Sequence, residues 1–212
     1  MDDGKTIDAL RPRVGVFLDR DGTIIEDTGF IGRPEDVRVL PGAIEGLRIL
    51  QEMGYALIVV SNQSGLARGI FTLEQMEAVK ERFCLMMKEA GVRLLDYFCC
   101  PHHVEGTVEE FRKDCADRKG SPGMILKGAY RHGLYLRGSW MIGDREDDIR
   151  AGRVCGMRTV QIKSLGLKAQ LETELRSDFC ADNLLAAVKI LKSLQQTAYS
   201  GQVLKRGVHN GK

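Results

Sequence analysis

Apolar residues in this chain collect in short unbroken runs, and between those runs they recur at helical spacing. Val14-Gly15-Val16-Phe17-Leu18 is the first run and Tyr55-Ala56-Leu57-Ile58-Val59-Val60 the second. Such runs predict strands covered on both faces, as in a parallel sheet. Leu94 to Cys99, Ser139-Trp140-Met141-Ile142 and Arg158 to Ile162 read as three more. After Pro41, the apolar positions Ile44, Leu47, Leu50 and Met53 describe a helix stopped at Gly54. Thr72-Leu73-Glu74-Gln75 has the spacing of a capping box. It opens a helix expected to bury Leu73, Met76, Val79, Phe83 and Met86, ending near Gly91. Ser121-Pro122 is expected to cap a helix ending at Gly133, with further helices over roughly 146–155 and from Asp182 to Leu194.

Alternating strands and helices predict an α/β fold: a three-layer Rossmann-like domain, its central sheet mainly parallel with helices on both faces. The domain spans residues 14–195, and 1–13 and 196–212 are expected to be flexible ends. Residues 100–121 have neither period. A polar connection of that length inside a compact domain is usually functional or tied down.

Composition removes several classes of function. The chain has 212 residues, 43% hydrophobic and 28% charged, which suits one globular domain. A formal charge of +2 gives no case for nucleic acid or a membrane surface as partner. No apolar stretch is long enough to span a bilayer. The start, Met1-Asp2-Asp3-Gly4-Lys5, lacks a secretory pattern, so a cytoplasmic location is expected. There the six cysteines are thiols or metal ligands rather than a disulfide framework. Cys84 and Cys155, among apolar neighbours, read as core residues. With no long exposed apolar segment, a monomer is expected.

The chemistry sits where strands stop. Asp19 and Asp21 follow the first run, Ser61 and Asn62 the second, and Asp144 the fourth. A parallel sheet brings such ends to one edge, and Lys119 can join them from the long connection. One carboxylate can attack an electrophile while another handles the proton, and carboxylates together can hold a hard cation. Carboxylates, a hydroxyl–amide pair and a lysine are the parts of a phosphoryl-transfer site. Each cluster alone could equally be a polar turn.

The set Asp19-x-Asp21-Gly22-Thr23, Ser61-Asn62, Lys119 and Gly143-Asp144-x-x-x-Asp148 resembles the haloacid dehalogenase (HAD) superfamily of phosphatases. The runs Ser61 to Gly69, Cys100-Pro101-His102-His103, Val108 to Arg112 and Arg118 to Met124 resemble its heptose 1,7-bisphosphate phosphatases, within the histidinol-phosphate phosphatase-like group. That resemblance covers about residues 14–195. It implies Asp19 as nucleophile, Asp21 as acid and base, and Ser61 and Lys119 as catalytic groups holding the transferring phosphoryl. Mg²⁺ would be held by the side chains of Asp19 and Asp144 and the main-chain carbonyl of Asp21, with Asp148 orienting its water. The substrate, a small phosphorylated sugar, would meet Asp27, Thr28, Gly29, Phe30, Asn62, Gln63, Ser64, Arg118 and Arg145. Asp27 would accept sugar hydroxyls, and Arg118 would grip the sugar or its second phosphate.

The same resemblance implies a structural zinc in the long connection, on Cys100, His102, Cys115 and Asp117. Asp117 stands where the family has cysteine, and the alternative is a zinc-free loop held by packing. Asp117→Cys is expected to tighten zinc binding without changing the reaction. Arg145 stands where the heptose enzymes usually have lysine and histidinol-phosphate phosphatases have arginine, so a histidinol-phosphate phosphatase is the runner-up. A phosphosugar mutase is disfavoured because no segment is long enough for a large cap domain. A non-catalytic sugar-phosphate sensor would not need both Asp19 and Asp21.

Overall fold

The computed structural model of the protein describes residues 12–163 and 176–207. Six strands form one sheet: β1 (Gly15–Leu18), β2 (Ala56–Asn62), β3 (Leu94–Cys100), β4 (Trp140–Gly143), β5 (Arg158–Ile162) and β6 (Phe179–Ala181). Their order is β3-β2-β1-β4-β5-β6, and every pairing is parallel. The order reverses direction between β1 and β4, the position where open α/β sheets leave a crevice at their carboxyl edge.

Alternation along the strands explains the three layers. Val16, Leu18, Leu57, Val59, Trp140 and Ile142 share one core. It is covered by α1 (Ala43–Glu52), α2 (Leu73–Glu89) and α5 (Leu184–Gly207). Phe17, Ile58, Val60 and Met141 point the other way, against α3 (Gly123–His132) and α4 (Glu146–Val154). Adjacent residues of one strand thus serve opposite cores, which is why Val16 to Leu18 and Leu57 to Val60 contain no polar position.

Several element boundaries differ from expectation. The capping box of α2 is present, with Gln75 N on Thr72 Oγ1 at 3.2 Å and Thr72 N on Gln75 Oε1 at 2.8 Å. Its buried stripe is Met76, Val79, Phe83 and Met87, whereas Leu73 is 48% exposed and Met86 only half-buried. The helix turns about 100° per residue, so the stripe drifts by one position over its length. Ser121 gives no side-chain cap to α3; Pro122 holds the cap position and its carbonyl accepts from Leu126 N at 2.9 Å. The short strand β6 was missed, being three residues long. The last helix begins at Leu184 and continues through Gly207, so the expected flexible end beyond 195 is helical that far. Residues 1–11 and 208–212 of the expected ends lie outside the described residues. Cys84 and Cys155 are half-buried against the two cores.

Candidate active site

The carboxyl edge at the β1/β4 crevice carries the acidic residues. Asp19 directly follows β1, and its N–H donates to Ile142 O of β4 at 2.9 Å. The chain then turns sharply at Gly22, whose φ is +78°. A Cβ there would lie 2.4 Å from Asp144 Oδ2, so both the turn and the approach of Asp144 require glycine. Asp144 follows β4, and Asp148 comes from the first turn of α4, with Arg145 N donating to its Oδ2 at 3.0 Å. Gly143 lets Asp148 in, since a Cβ at 143 would stand 2.3 Å from that carboxylate.

Oxygens of Asp19, Asp144 and Asp148 lie within 4.8 Å of one another, and all three residues are buried. Lys119 Nζ reaches this cluster, contacting Asp19 Oδ1 and lying 2.7 Å from Asp148 Oδ1. Burial drives the Asp19 carboxyl up to about 7 against the pull of Lys119, with Asp148 and Asp21 adding to the rise. Burial likewise raises Asp148, opposed by Lys119. Burial works against charge on Lys119, yet Asp148 and Asp19 hold it above its ordinary value. Hard oxygen donors that converge in this way fit a divalent cation such as Mg²⁺.

Lys119 is held by its backbone. Asn62 Oδ1 accepts from Lys119 N at 2.8 Å, and Asn62 Nδ2 donates to Lys119 O at 3.4 Å. Gly120 N donates to Asp147 O at 3.0 Å, tying the same segment to α4.

A cavity of about 800 Å³ opens over the cluster. Asn62, Gln63, Ser64, Arg118, Lys119 and Arg145 line it as expected, as do Asp27, Gly29 and Phe30. Thr28 does not; it lines a neighbouring cavity beside Gly22, Thr23 and Asp144. Ser61 is fully buried, its hydroxyl engaged by Asp21 and Gln63. Both oxygens of Asp27 already accept: Oδ1 from Gly29 N at 2.9 Å, Oδ2 from Arg145 Nη2 at 2.7 Å. The predicted sugar contact is therefore also a loop latch. Sequence reasoning missed Arg68 and His103, which line the cavity with Arg68 Nη2 3.1 Å from His103 Nε2. The signal lay inside the quoted motifs, in the one cation of Ser61 to Gly69 and the second imidazole of Cys100 to His103.

In the long connection, Cys100, His102 and Cys115 bring donor atoms within 4.8 Å of one another. Asp117 does not join them; its carboxylate pairs with Lys127 of α3. The expected fourth ligand is thereby corrected. An exposed lysine one helical turn into α3 competes for the carboxylate, and spacing along the chain does not reveal that neighbour. Burial raises the Cys100 thiol to about 12 against a His102 backbone hydrogen bond, and Cys115 adds to the rise.

The fold and its acidic crevice define a HAD-type hydrolase, and a HAD-hydrolase-like family model matches residues 117–187, spanning Lys119, Asp144 and Asp148. Relatives reach further. A D-glycero-beta-D-manno-heptose-1,7-bisphosphate 7-phosphatase of Escherichia coli K12 is 37% identical over 184 residues, 86% of this chain and 96% of that protein. The Yersinia pestis enzyme of the same name is 35% identical over 178 residues, 84% of this chain and 95% of its own. The crystal structure of the B. bronchiseptica D,D-heptose 1,7-bisphosphate phosphatase, complexed with magnesium and phosphate, superposes with a TM-score of 0.75. It is 27% identical, and the match covers 86% of this chain and 99% of that one. The chain belongs to the heptose-1,7-bisphosphate 7-phosphatase family of HAD-type phosphatases. Among the described residues, no helix is long and apolar enough to cross a membrane.

Proposed function

We propose that this protein is a Mg²⁺-dependent phosphatase that removes the 7-phosphate from a D-glycero-D-manno-heptose 1,7-bisphosphate, a step toward nucleotide-activated heptose for bacterial surface polysaccharide. The carrying observation is the buried meeting of Asp19, Lys119, Asp144 and Asp148 beneath a cavity that holds Arg118 and Arg68. Similarity to the E. coli and Y. pestis enzymes over nearly their whole length supports the choice of substrate.

In this reading an Asp19 oxygen attacks phosphorus, the phosphorus–oxygen bond to C7 breaks, and an aspartyl-phosphate forms. Asp21 gives its proton to the departing sugar oxygen, then takes one from water as that water attacks the aspartyl-phosphate. Inorganic phosphate leaves and Asp19 is restored. Lys119 keeps Asp19 oriented and offsets charge on the transferring group. Asp19, Asp144 and the main chain at Asp21 would hold Mg²⁺, with Asp148 beside it. When bound, the ion supplies positive charge at the three-acid cluster. Arg118, whose Nη1 donates to the carbonyl of His102 at 3.2 Å, and Arg68 line the cavity where they can meet the second phosphate.

A structural zinc is supported by three donors, Cys100, His102 and Cys115. It would order the connection that leads to Arg118 and Lys119. Zinc must displace the thiol protons that burial favours, so its affinity should rise with pH. About one zinc per purified chain by metal analysis is the expected result, and none would remove this part of the reading.

The runner-up, histidinol phosphate, rests on Arg145, which lines the cavity while paired with Asp27. Steady-state comparison of both heptose bisphosphate anomers with histidinol phosphate tests the proposal. We expect kcat/KM to favour one of the bisphosphates and free phosphate to come from C7; a preference for histidinol phosphate reverses the conclusion.

A further inference from the structure

Asp21, which must reach the leaving oxygen in the phosphatase reading, is held by other partners. Its Oδ1 accepts from Arg20 Nε at 3.0 Å. Its Oδ2 accepts from Arg20 Nη2 at 2.9 Å, Gln63 Nε2 at 2.7 Å and Ser61 Oγ at 3.4 Å. Each donor is itself anchored. Arg20 is 1% exposed and its Nη1 donates to the Tyr97 hydroxyl at 3.1 Å. Gln63 Nε2 also donates to Ser61 Oγ at 2.7 Å, and Gln63 N donates to Cys100 O at 2.8 Å. With both carboxylate oxygens engaged by these donors, Asp21 has no oxygen left to meet an ester oxygen in that position.

Two of those donors stand at the end of β2, where the phosphoryl group must be received. The Ser61 hydroxyl and the Gln63 amide offer hydrogen bonds to an oxyanion, and a carboxylate and a phosphoryl group are both oxyanions. Ser61 is completely covered in this arrangement, with Asp21 on its hydroxyl and the cavity beyond.

We propose that Asp21 acts as an internal stand-in for the phosphoryl group. It occupies the Ser61 and Gln63 donors in the substrate-free protein and surrenders them when the phosphoryl group binds. Once off those donors, Asp21 takes a proton from solvent in the cavity, turns to the ester oxygen, and passes that proton to it as the phosphorus–oxygen bond breaks. Gln63 and Arg20 are positioning residues for that movement. Arg20 supplies the return: Asp21 is the carboxylate that pairs with it among the described residues. A buried guanidinium left without its partner is unfavourable. Asp21 therefore leaves only when the incoming oxyanion replaces it on the other donors, so the acid is delivered when there is an ester to cleave. The proposal rests on the phosphatase reading of Asp19 and Asp21.

The test is a double-mutant cycle read by calorimetric binding of inorganic phosphate to the Mg²⁺-loaded protein. If hand-over operates, phosphate gains a bond from Gln63 only as Asp21 loses one, and Gln63→Leu weakens binding little. In an Asp21→Ala background Gln63 starts without a carboxylate on its amide, and the same substitution should weaken phosphate at least threefold more. Equal factors in the two backgrounds overturn the proposal. Should Asp21→Ala not fold, the natural protein crystallised with Mg²⁺ and phosphate decides. Gln63 Nε2 and Ser61 Oγ on the phosphate with Asp21 turned off Arg20 upholds it, and phosphate bound beside unchanged Asp21 contacts refutes it. Failure of the underlying reading has a different signature: Asp21→Asn would then hydrolyse an alkyl phosphate as fast as the natural chain.

Discussion

The side-chain amide of Asn62 reads the main chain of Lys119 in both directions, accepting from its N–H at 2.8 Å and donating to its carbonyl at 3.4 Å. Fifty-seven residues separate the two. Through this contact the end of β2 sets where a loop residue places its ammonium, so a residue lining the cavity also helps build the acidic cluster.

Asn62→Leu keeps the branched outline and the number of side-chain heavy atoms and removes both bonds. We expect kcat to fall about 100-fold, the scale of a displacement of roughly an ångström at the reacting centre. The loss of stability should stay within about 1–3 kcal/mol, the cost of unsatisfied buried backbone groups. Steady-state kinetics beside thermal unfolding would check this, and an unchanged kcat would show that Lys119 is positioned by other contacts.

Asp19→Asn leaves a side chain of the same shape that cannot carry phosphorus. Turnover should vanish. Acid-quenched reactions with radiolabelled substrate should leave label on the natural chain and none on the variant, and equal labelling of both would remove Asp19 from the nucleophile role.

Arg68→Met and Arg118→Met each delete a guanidinium from the cavity away from the acidic cluster. For a sugar bisphosphate KM should rise about tenfold or more, the size of one charged hydrogen bond of about 1.5 kcal/mol. For 4-nitrophenyl phosphate, which has no second phosphate, KM should barely move. Parallel losses on both substrates would argue against a second-phosphate contact.

Arg145→Lys replaces the guanidinium whose Nη2 donates to Asp27 Oδ2 with a shorter, single ammonium donor. The pair is largely exposed on the arginine side, so stability should change by less than about 1 kcal/mol. The ratio of kcat/KM for heptose bisphosphate over histidinol phosphate should increase. A ratio that falls would take Arg145 out of substrate choice.

Asp96 gives a pH dependence away from the active site. Burial works against its charge, but bonds from His132, the Tyr97 backbone and Arg131 hold its carboxyl below the ordinary value. A carboxyl depressed in the folded state stabilises fully above its unfolded pKa of about 3.9 and loses that contribution as pH falls through the folded value. Asp96→Asn should therefore be less stable by about 1 kcal/mol near neutrality. The gap should close below about pH 4 in urea unfolding series, and a constant gap at all pH values would contradict it.

The sheet was legible because central strands covered on both faces read as unbroken apolar runs, as Val16-Phe17-Leu18 and Leu57-Ile58-Val59-Val60 do. Helix ends were less so. Ser121 has the chemistry of a cap and gives none, because Pro122 holds that position, and three-residue β6 carries too little pattern to be recognised. The convergence of Asp19, Lys119 and Asp144 followed from strand ends and motif spacing. Asp148, expected beside the metal to orient its water, stands in the same cluster with oxygens within 4.8 Å of those of Asp19 and Asp144.

By itself the sequence determined the layered fold, the edge on which chemistry gathers and the residue types that gather there. Those features depend on local periodicity and on the parallel arrangement that periodicity forces. Only the tertiary structure decided the pairings: Asp117 with Lys127 rather than with the thiols, Asp27 with Arg145, and Asp21 with Arg20 and Gln63. A charged side chain takes the best oppositely charged or hydrogen-bonding neighbour within its reach. Which neighbour that is depends on the packing of segments far apart in the chain.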